Sequence, residues 1–462
     1  VSASADKMQA AGVAQVAIDT FEQQLERLRG GETGVLAESE IEPVADLPDA
    51  DELPEDEQGA REALAQTVVI KLNGGLGTSM GMTEPKSLLE VKDGLTFLDI
   101  TVRQILDLRR RMDAALPLVL MNSFATREAS LAALAPYDEL PVKGVDADFV
   151  QSKVPKLDAD SLEPAQWPAD PSLEWAPPGH GDLYPSLLSS GMLAALIGAG
   201  YRYAFVANVD NLGAVMEPRI LAWFAREQIP FLMEVADRTA ADRKGGHLAQ
   251  RAGGGGFGLV LREIAQTPEG DVDTFQDIAR HRFFNTNTLW LDLHALRDTL
   301  CERGGVLGLP MIVNRKTVDP GDRSSTPVIQ LETAMGAAID VFDGARAIRV
   351  PRTRFAPVKT TDDLLALRSD AYVLHEDGTL ALAPERGGAG APLVQLDPAH
   401  YRLLRDFEAR FAAGPPSLVQ AQRLTVRGDV AFGAGVVVRG AVTVEHDGDG
   451  RRRIADGARL DG

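Results

Sequence analysis

The stretch from Thr67 to Lys86, TVVIKLNGGLGTSMGMTEPK, constrains this chain more than any other. Residues 67–72 are β-branched and apolar enough for a buried strand. Four glycines follow within eight residues: Gly74, Gly75, Gly77 and Gly81. A hydrophobic core gains nothing from so many. A backbone brought against a ligand does, because glycine reaches positive φ and has no Cβ to hold the ligand off. Lys86, placed after Pro85, then offers a point charge suited to phosphate oxygens. The spacing fits neither the GxxxxGK[ST] phosphate loop nor the GxGxxG dinucleotide fingerprint. On residues alone, a nucleotide loop and an ordinary glycine-rich turn both stay open.

The surrounding pattern predicts an α/β domain. Residues 96–111 carry helical spacing and residues 116–121 (LPLVLM) read as a short buried strand ending at Asn122-Ser123. Strand, loop, helix, strand is a βαβ unit, which favours a parallel sheet with ligands at its carboxyl edge. Further strands are expected at 203–207, 230–235 and 256–264. Ahead of the loop, residues 4–30 have helical spacing that stops at Gly30-Gly31, and residues 38–57 hold ten acids among three prolines. That acidic run reads as an extended, solvated surface segment. Past the Gly/Ala/Pro-rich break at 387–390 comes a predicted helix near 401–412. Residues 424–444, LTVRGDVAFGAGVVVRGAVTV, then give short β-branched runs separated by glycine, as in β-helix coils or a plain β-meander.

Composition narrows the function. A chain of 462 residues holds two or three domains, and 45% hydrophobic with 25% charged residues is ordinary for a globular protein. The net charge of −20 argues against non-specific nucleic-acid binding and against anionic membranes. Cys301 is alone, so neither an intrachain disulfide nor a cysteine metal cluster is available. With no 18-residue apolar run and no basic-then-apolar leader in the sequence, the expected location is cytoplasmic.

Several short motifs carry chemistry. Gln151, in QSKVPK, has an amide that suits a pyrimidine's paired O and N–H edge, although the segment by itself reads as a surface loop. In WAPPGHGDLY, Gly179 and Gly181 bracket His180, which the pattern predicts to be little shielded and either structural or a contact residue. The strand YAFVAN ends in Asn208-Val209-Asp210-Asn211, setting a carboxylate at the sheet's carboxyl edge, for a hard divalent cation or to cap a helix. Asn285 and Asn287, on one face of an extended segment, suit a row of sugar hydroxyls or a buried polar ladder. Arg349 to Lys359 concentrates four cations in eleven residues, a counter-charge for a polyphosphate or a solvated face.

LNGGLGTSMG resembles the signature loop of the UTP–sugar-1-phosphate uridylyltransferases, and of the glucose-1-phosphate enzymes in particular, because Ser79-Met80 stands where the N-acetylhexosamine relatives carry Arg-Leu. NVDNLG, WAPPGHGD, FNTNTLW, QLETA and RFAPVKTT are similar to further segments of that family, with Glu84, Ala176 and Thr288 as departures. The resemblance implies a Rossmann-like (GT-A-like) nucleotidyltransferase domain with a mixed, mainly parallel sheet and a C-terminal left-handed β-helix. It divides the chain into 1–60, an N-terminal helix and acidic wrapping segment, 61–386, the catalytic domain, and 387–462, the linker helix and β-helix. It implies UTP and glucose 1-phosphate as substrates and Mg²⁺ as cofactor, with the β-helix as an oligomer contact. Leu72, Asn73, Gly74, Gly75 and Gln151 would hold the uridine, and Lys86 the pyrophosphate. Asp210 would hold the metal, and Lys359 would meet the charge at the α-phosphorus. Gly179, His180, Asn208 and Asn287 would place the sugar phosphate. Glu332 would orient a sugar hydroxyl or Lys86. The same chemistry on galactose or N-acetylglucosamine 1-phosphate, or a non-catalytic nucleotide-sugar sensor, are the alternatives. The intact set Lys86, Asp210 and Lys359 speaks against a sensor.

Overall fold

Hydrophobic alternation decides the central layer. In the computed structural model, which describes residues 2–239, 242–253 and 258–462, seven strands form its core: β1 (Thr67–Asn73), β2 (Leu118–Asn122), β3 (Asp148–Val150), β4 (Tyr203–Asn208), β5 (Phe231–Asp237), β6 (Phe283–Asp292) and β7 (Arg346–Arg349). Their order is β3-β2-β1-β4-β6-β5-β7. β3, β2, β1 and β4 are mutually parallel. β6 is antiparallel to β4 and β5, and β7 is parallel to β5. Six strands therefore share one direction and β6 alone is reversed.

Val68 and Ile70 of β1 face one apolar layer with Ala204 and Val206. Val69 faces the other, with Phe205, Leu98, Val102 and Ile105. The helix Phe97–Met112 supplies the last three and is the crossover of the expected βαβ unit. It starts on a reciprocal Thr96–Asp99 capping box. A hairpin of His247–Arg251 and Leu259–Arg262 joins β6 at Phe284. The last strand covers part of the expected 256–264, whose residues 256 and 257 lie outside the described set.

Two expectations change in detail. The N-terminal periodicity is two helices, Ala3–Ala10 and Gln15–Arg29, because Gly12 at φ 72° breaks the run. Most of the acidic run is exposed, and Ile41–Pro43 extends the hairpin as a strand. Glu38, however, is drawn in by Arg262 (2.6 Å) and Arg280 (2.7 Å).

At the C-terminus, Leu393–Leu396, Ser417–Arg427, Val437–Glu445 and Arg459–Asp461 pair parallel in that order, and Val430–Phe432 pairs parallel with Arg452–Ile454. Hairpin-linked strands would be antiparallel, so the meander is excluded and successive turns of chain stack on one another. The expected helix is two short ones, Pro398–Tyr401 and Leu404–Arg410. Met80, Leu212 and Val358 share one apolar cluster with Leu424, Val438 and other C-terminal residues.

One residue of β1 breaks the apolar rule. Lys71 is 2% exposed, and its Nζ donates to the Ala214 carbonyl at 2.9 Å. Burial, aided by the Arg354 charge, pushes it down to about 7. In the unfolded chain Lys71 keeps its proton up to the ordinary lysine range near 10.5, but in the folded protein only to about 7. Folding therefore releases a proton within that window, and stability gains as pH rises across it. Lys71→Met should remove this dependence. The Tm of the parent relative to that of the variant, followed from pH 7 upward, should rise steadily; a constant difference would contradict the assignment.

Candidate active site

Because six strands share a direction, their carboxyl ends bring separate sequence motifs to one edge. β1 delivers the glycine loop, β3 delivers Gln151, β4 delivers Asn208 to Asp210, and β7 leads to Lys359. β6 runs the other way, so its beginning, Asn285 to Asn287, lies at that same edge.

The loop turns back so that the Lys86 N–H donates to the Gly75 carbonyl at 3.0 Å. A Cβ at Gly74 would sit 2.6 Å from Gln151 Oε1, so the first glycine is required by the base-reading candidate itself. A Cβ at Gly75 would meet no protein atom within 4 Å, which leaves that backbone open to a ligand. Leu72 is half-buried. Asn73 turns away from the edge, its Nδ2 donating to Asn122 Oδ1 and Ser130 Oγ, both at 2.7 Å. Its side chain ties β1 to β2, and only its backbone belongs to the loop.

Lys86 Nζ reaches Asp210 Oδ2 at 2.5 Å, with both side chains mostly buried. The phosphate candidate and the metal candidate thus neutralise each other, a pairing that spans 124 positions of sequence. The segment carrying Lys359 is stitched to the Asp210 turn. Val358 N–H donates to the Asp210 carbonyl at 3.2 Å, Ala356 N–H to Asn211 Oδ1 at 2.9 Å, and Asn211 Nδ2 to the Arg354 carbonyl at 3.2 Å. Lys359 itself is exposed, its Nζ 5.9 Å from the centre of the Phe355 ring. Asn208 ends β4 in register with Leu72.

His180 is more enclosed than its glycine neighbours suggest. Gly179 has φ 80°, and a Cβ there would lie 2.4 Å from the Thr333 carbonyl, while one at Gly181 would lie 2.2 Å from Thr333 Oγ1. These glycines let the turn press on the strand Pro327–Thr333; they do not bare the imidazole. His180 Nδ1 accepts the Met335 N–H at 2.9 Å, which leaves the proton on Nε2. The residue as a whole is partly exposed, but the protein packed around it pushes His180 down to about 4, so it is a neutral donor at neutral pH.

Asn285 borders a bulge and Asn287 lies in it, so the segment is not a flat strand: the β5–β6 register skips between Glu234 and Val235, and Asn287 adopts φ 56°. Asn285 Nδ2 donates to Asn287 Oδ1 at 2.8 Å. Glu332 pairs with Lys316 at 3.7 Å, and Lys86 is held by Asp210, so Glu332 does not orient Lys86.

The sequence pattern of the UTP–glucose-1-phosphate uridylyltransferase family matches residues 18–439. This chain belongs to that family. The potato UTP–glucose-1-phosphate uridylyltransferase is 41% identical over 408 residues, 88% of this chain and 82% of its own length. The Encephalitozoon cuniculi relative is 38% identical over 445 residues, covering 96% and 86%. A UDP-glucose pyrophosphorylase mutant from Leishmania major, solved in complex with UDP-glucose, superposes with a TM-score of 0.93 at 48% identity, covering 99% of this chain and 97% of that one. The corresponding Trypanosoma brucei structure gives 0.91 at the same identity and coverage.

Four groups around this edge have no role that the sequence assigns. Asp182 is 4% exposed and accepts from Ser152 N–H (2.6 Å) and Ser186 Oγ (2.7 Å); burial pushes it up to about 7. Asn211 forms the stitch described above. Glu234, fully buried, accepts from Arg354 Nε (2.8 Å) and Nη2 (2.7 Å) and from Trp290 Nε1 (2.9 Å). Glu263 is largely enclosed, and burial raises its carboxyl against the opposing charge of Lys359. An acid directly after the Gly-His-Gly turn was the available signal for Asp182; an isolated Glu in an apolar strand gave none for Glu234.

Among the described residues no group of three or more His, Cys, Asp or Glu could cage a metal. A single carboxylate, Asp210, beside the ammonium of Lys86 suits Mg²⁺, which takes one or two carboxylates and completes its octahedron with phosphate oxygens and water.

Proposed function

We propose that the protein catalyses UTP + α-D-glucose 1-phosphate ⇌ UDP-glucose + pyrophosphate. The observation that carries this reading is the meeting, at one sheet edge, of the open Gly75 backbone, Gln151, the Lys86–Asp210 pair and Lys359. Gln151, packed on Gly74, reads the uracil edge, and the loop backbone follows the triphosphate. Lys86 is released from Asp210 to the leaving pyrophosphate. Asp210 would hold Mg²⁺, whose chemistry is to neutralise phosphate charge. Lys359 meets the charge that develops at the α-phosphorus. His180 Nε2–H, Asn208 and the Asn285–Asn287 pair orient the sugar phosphate, with Glu332 and its Lys316 partner at the margin.

The nucleophile is a phosphate monoester oxygen, already anionic near neutral pH, so no general base is required. Consistent with that, His180 has Nδ1 occupied as an acceptor and its proton on Nε2. Catalysis is alignment for in-line attack plus charge stabilisation, without a covalent enzyme intermediate. The stacked parallel C-terminal strands support a left-handed β-helix, and its exposed face would be the contact between copies in an oligomer. The lone Cys301 is in keeping with the cytoplasm.

Pyrophosphate release with UTP and Mg²⁺ across a panel of sugar 1-phosphates tests the reading. Release with glucose 1-phosphate well above the others is expected. Equal release with all sugars would remove the glucose assignment, and none with any, despite UTP binding, would leave a sensor. Asp210→Asn should keep the fold but sharply raise the Mg²⁺ needed for half-maximal rate; an unchanged titration would point to another ligand.

A further inference from the structure

Gln151 reads a base only if its amide is held in one place, and the two peptide planes meeting at its Cα are separately anchored. On one side the Gln151 N–H donates to the Asn122 carbonyl at 2.7 Å. On the other, the Ser152 N–H donates to Asp182 Oδ2 at 2.6 Å. Fixing both N–H groups fixes the backbone on both sides of the Gln151 Cα, and with it the direction of Cβ. The side chain then extends to Gly74, where no larger residue leaves room for its amide.

We propose that Asp182 is the positioning residue for nucleobase selection: by holding the Ser152 N–H, it sets the Gln151 amide against the uracil edge. The inference rests on Gln151 reading uracil, as proposed above. Asp182 is suited to the task because it belongs to the His180 turn, which is itself pressed against Thr333. One buried carboxyl therefore ties the base-reading segment to the turn that faces the sugar phosphate. Its second donor, Ser186 Oγ, holds the same Oδ2 at 2.7 Å, so the acceptor cannot swing away from Ser152. Without the carboxylate, the Ser152 N–H loses the acceptor aimed at it in a part-buried bond, so the segment would shift to find another.

Asp182→Ala should raise the UTP KM about tenfold or more and lower the ratio of kcat/KM for UTP over CTP by a similar factor. The KM for glucose 1-phosphate should change far less. Asp182→Asn, whose amide oxygen still accepts from both donors, should restore the ratio to near the parent value. If the alanine variant does not fold, Asp182→Ser, one bond too short to reach Ser152, gives the same readout. Loss of activity or Tm with the UTP:CTP ratio intact would make Asp182 merely structural and overturn the proposal. Gln151→Ala, measured alongside, separates the two claims. If it leaves the ratio unchanged, the base-reading assignment fails; if it collapses the ratio and Asp182→Ala does not, only the positioning role fails.

Discussion

Replacing Lys359 with alanine is expected to lower kcat by about 10²-fold or more, the scale for removing one aimed charge from a transition state, while Tm stays close to that of the parent. The split follows from where the residue sits. Its backbone is anchored by neighbours, through Val358 to Asp210 and through Ala356 to Asn211, none of which involves the lysine side chain. The ammonium itself is exposed and contributes little to packing, and surface side chains away from special features change stability by at most about 0.5 kcal/mol. Lys359→Arg should recover part of kcat, because charge is kept but the compact ammonium is replaced by a planar fork. Steady-state kinetics with both substrates saturating, together with a thermal melt, decide the matter. A near-normal kcat would remove Lys359 from the mechanism.

Arg354→Met is expected to have the largest effect on stability, a loss of about 3–5 kcal/mol, the usual cost of leaving one partner of a buried ion pair behind. Glu234 would keep only the Trp290 Nε1–H, with no countercharge in direct contact. Activity should fall as well, because the Arg354 carbonyl is the acceptor for Asn211 Nδ2 and the segment leads directly to Lys359. The double change Glu234→Leu with Arg354→Met removes both charges together and should recover much of the lost Tm, since a buried pair replaced by apolar groups is often neutral. Calorimetry on the single and double variants gives the comparison. If the double variant is no more stable than Arg354→Met alone, the loss comes from packing and not from a stranded carboxylate.

What the sequence made legible were features with a local signature. β1, its glycine loop, the crossover helix and the strand leading to Asp210 each follow from hydrophobic period and glycine spacing within about twenty residues. Pairings that close over long separations were not legible. Nothing near Lys86 announces Asp210, and nothing near Glu332 announces Lys316. Gly179 and Gly181 were legible as important but for another reason: their partner, Thr333, lies on a strand far along the chain, so a steric demand read as exposure. Asn287 shows the same limit, because a bulge is decided by the β5–β6 register and not by the residues that form it. Asp182 and Glu234 escaped notice because an acid in an apolar context reads as an accident until its donors are seen.

The apolar cluster that joins Met80, Leu212 and Val358 to the C-terminal strands bears on the order in which the protein is made. Each of the three lies close in sequence to one member of the proposed catalytic set, Lys86, Asp210 or Lys359, and each shares its apolar cluster with residues translated after all of that set. Gly81, in the glycine loop, packs on Leu403, with a Cβ there falling 3.0 Å from Leu403 Cδ2. A nascent chain ending before residue 400 already carries every proposed catalytic side chain but lacks Leu403 and the later strands of that cluster. Domains fold as units during synthesis, N-terminal ones first, yet here the apolar packing beside the glycine loop is completed only by residues beyond 400. A product truncated before residue 400 would thus carry the glycine loop without the C-terminal part of its apolar support.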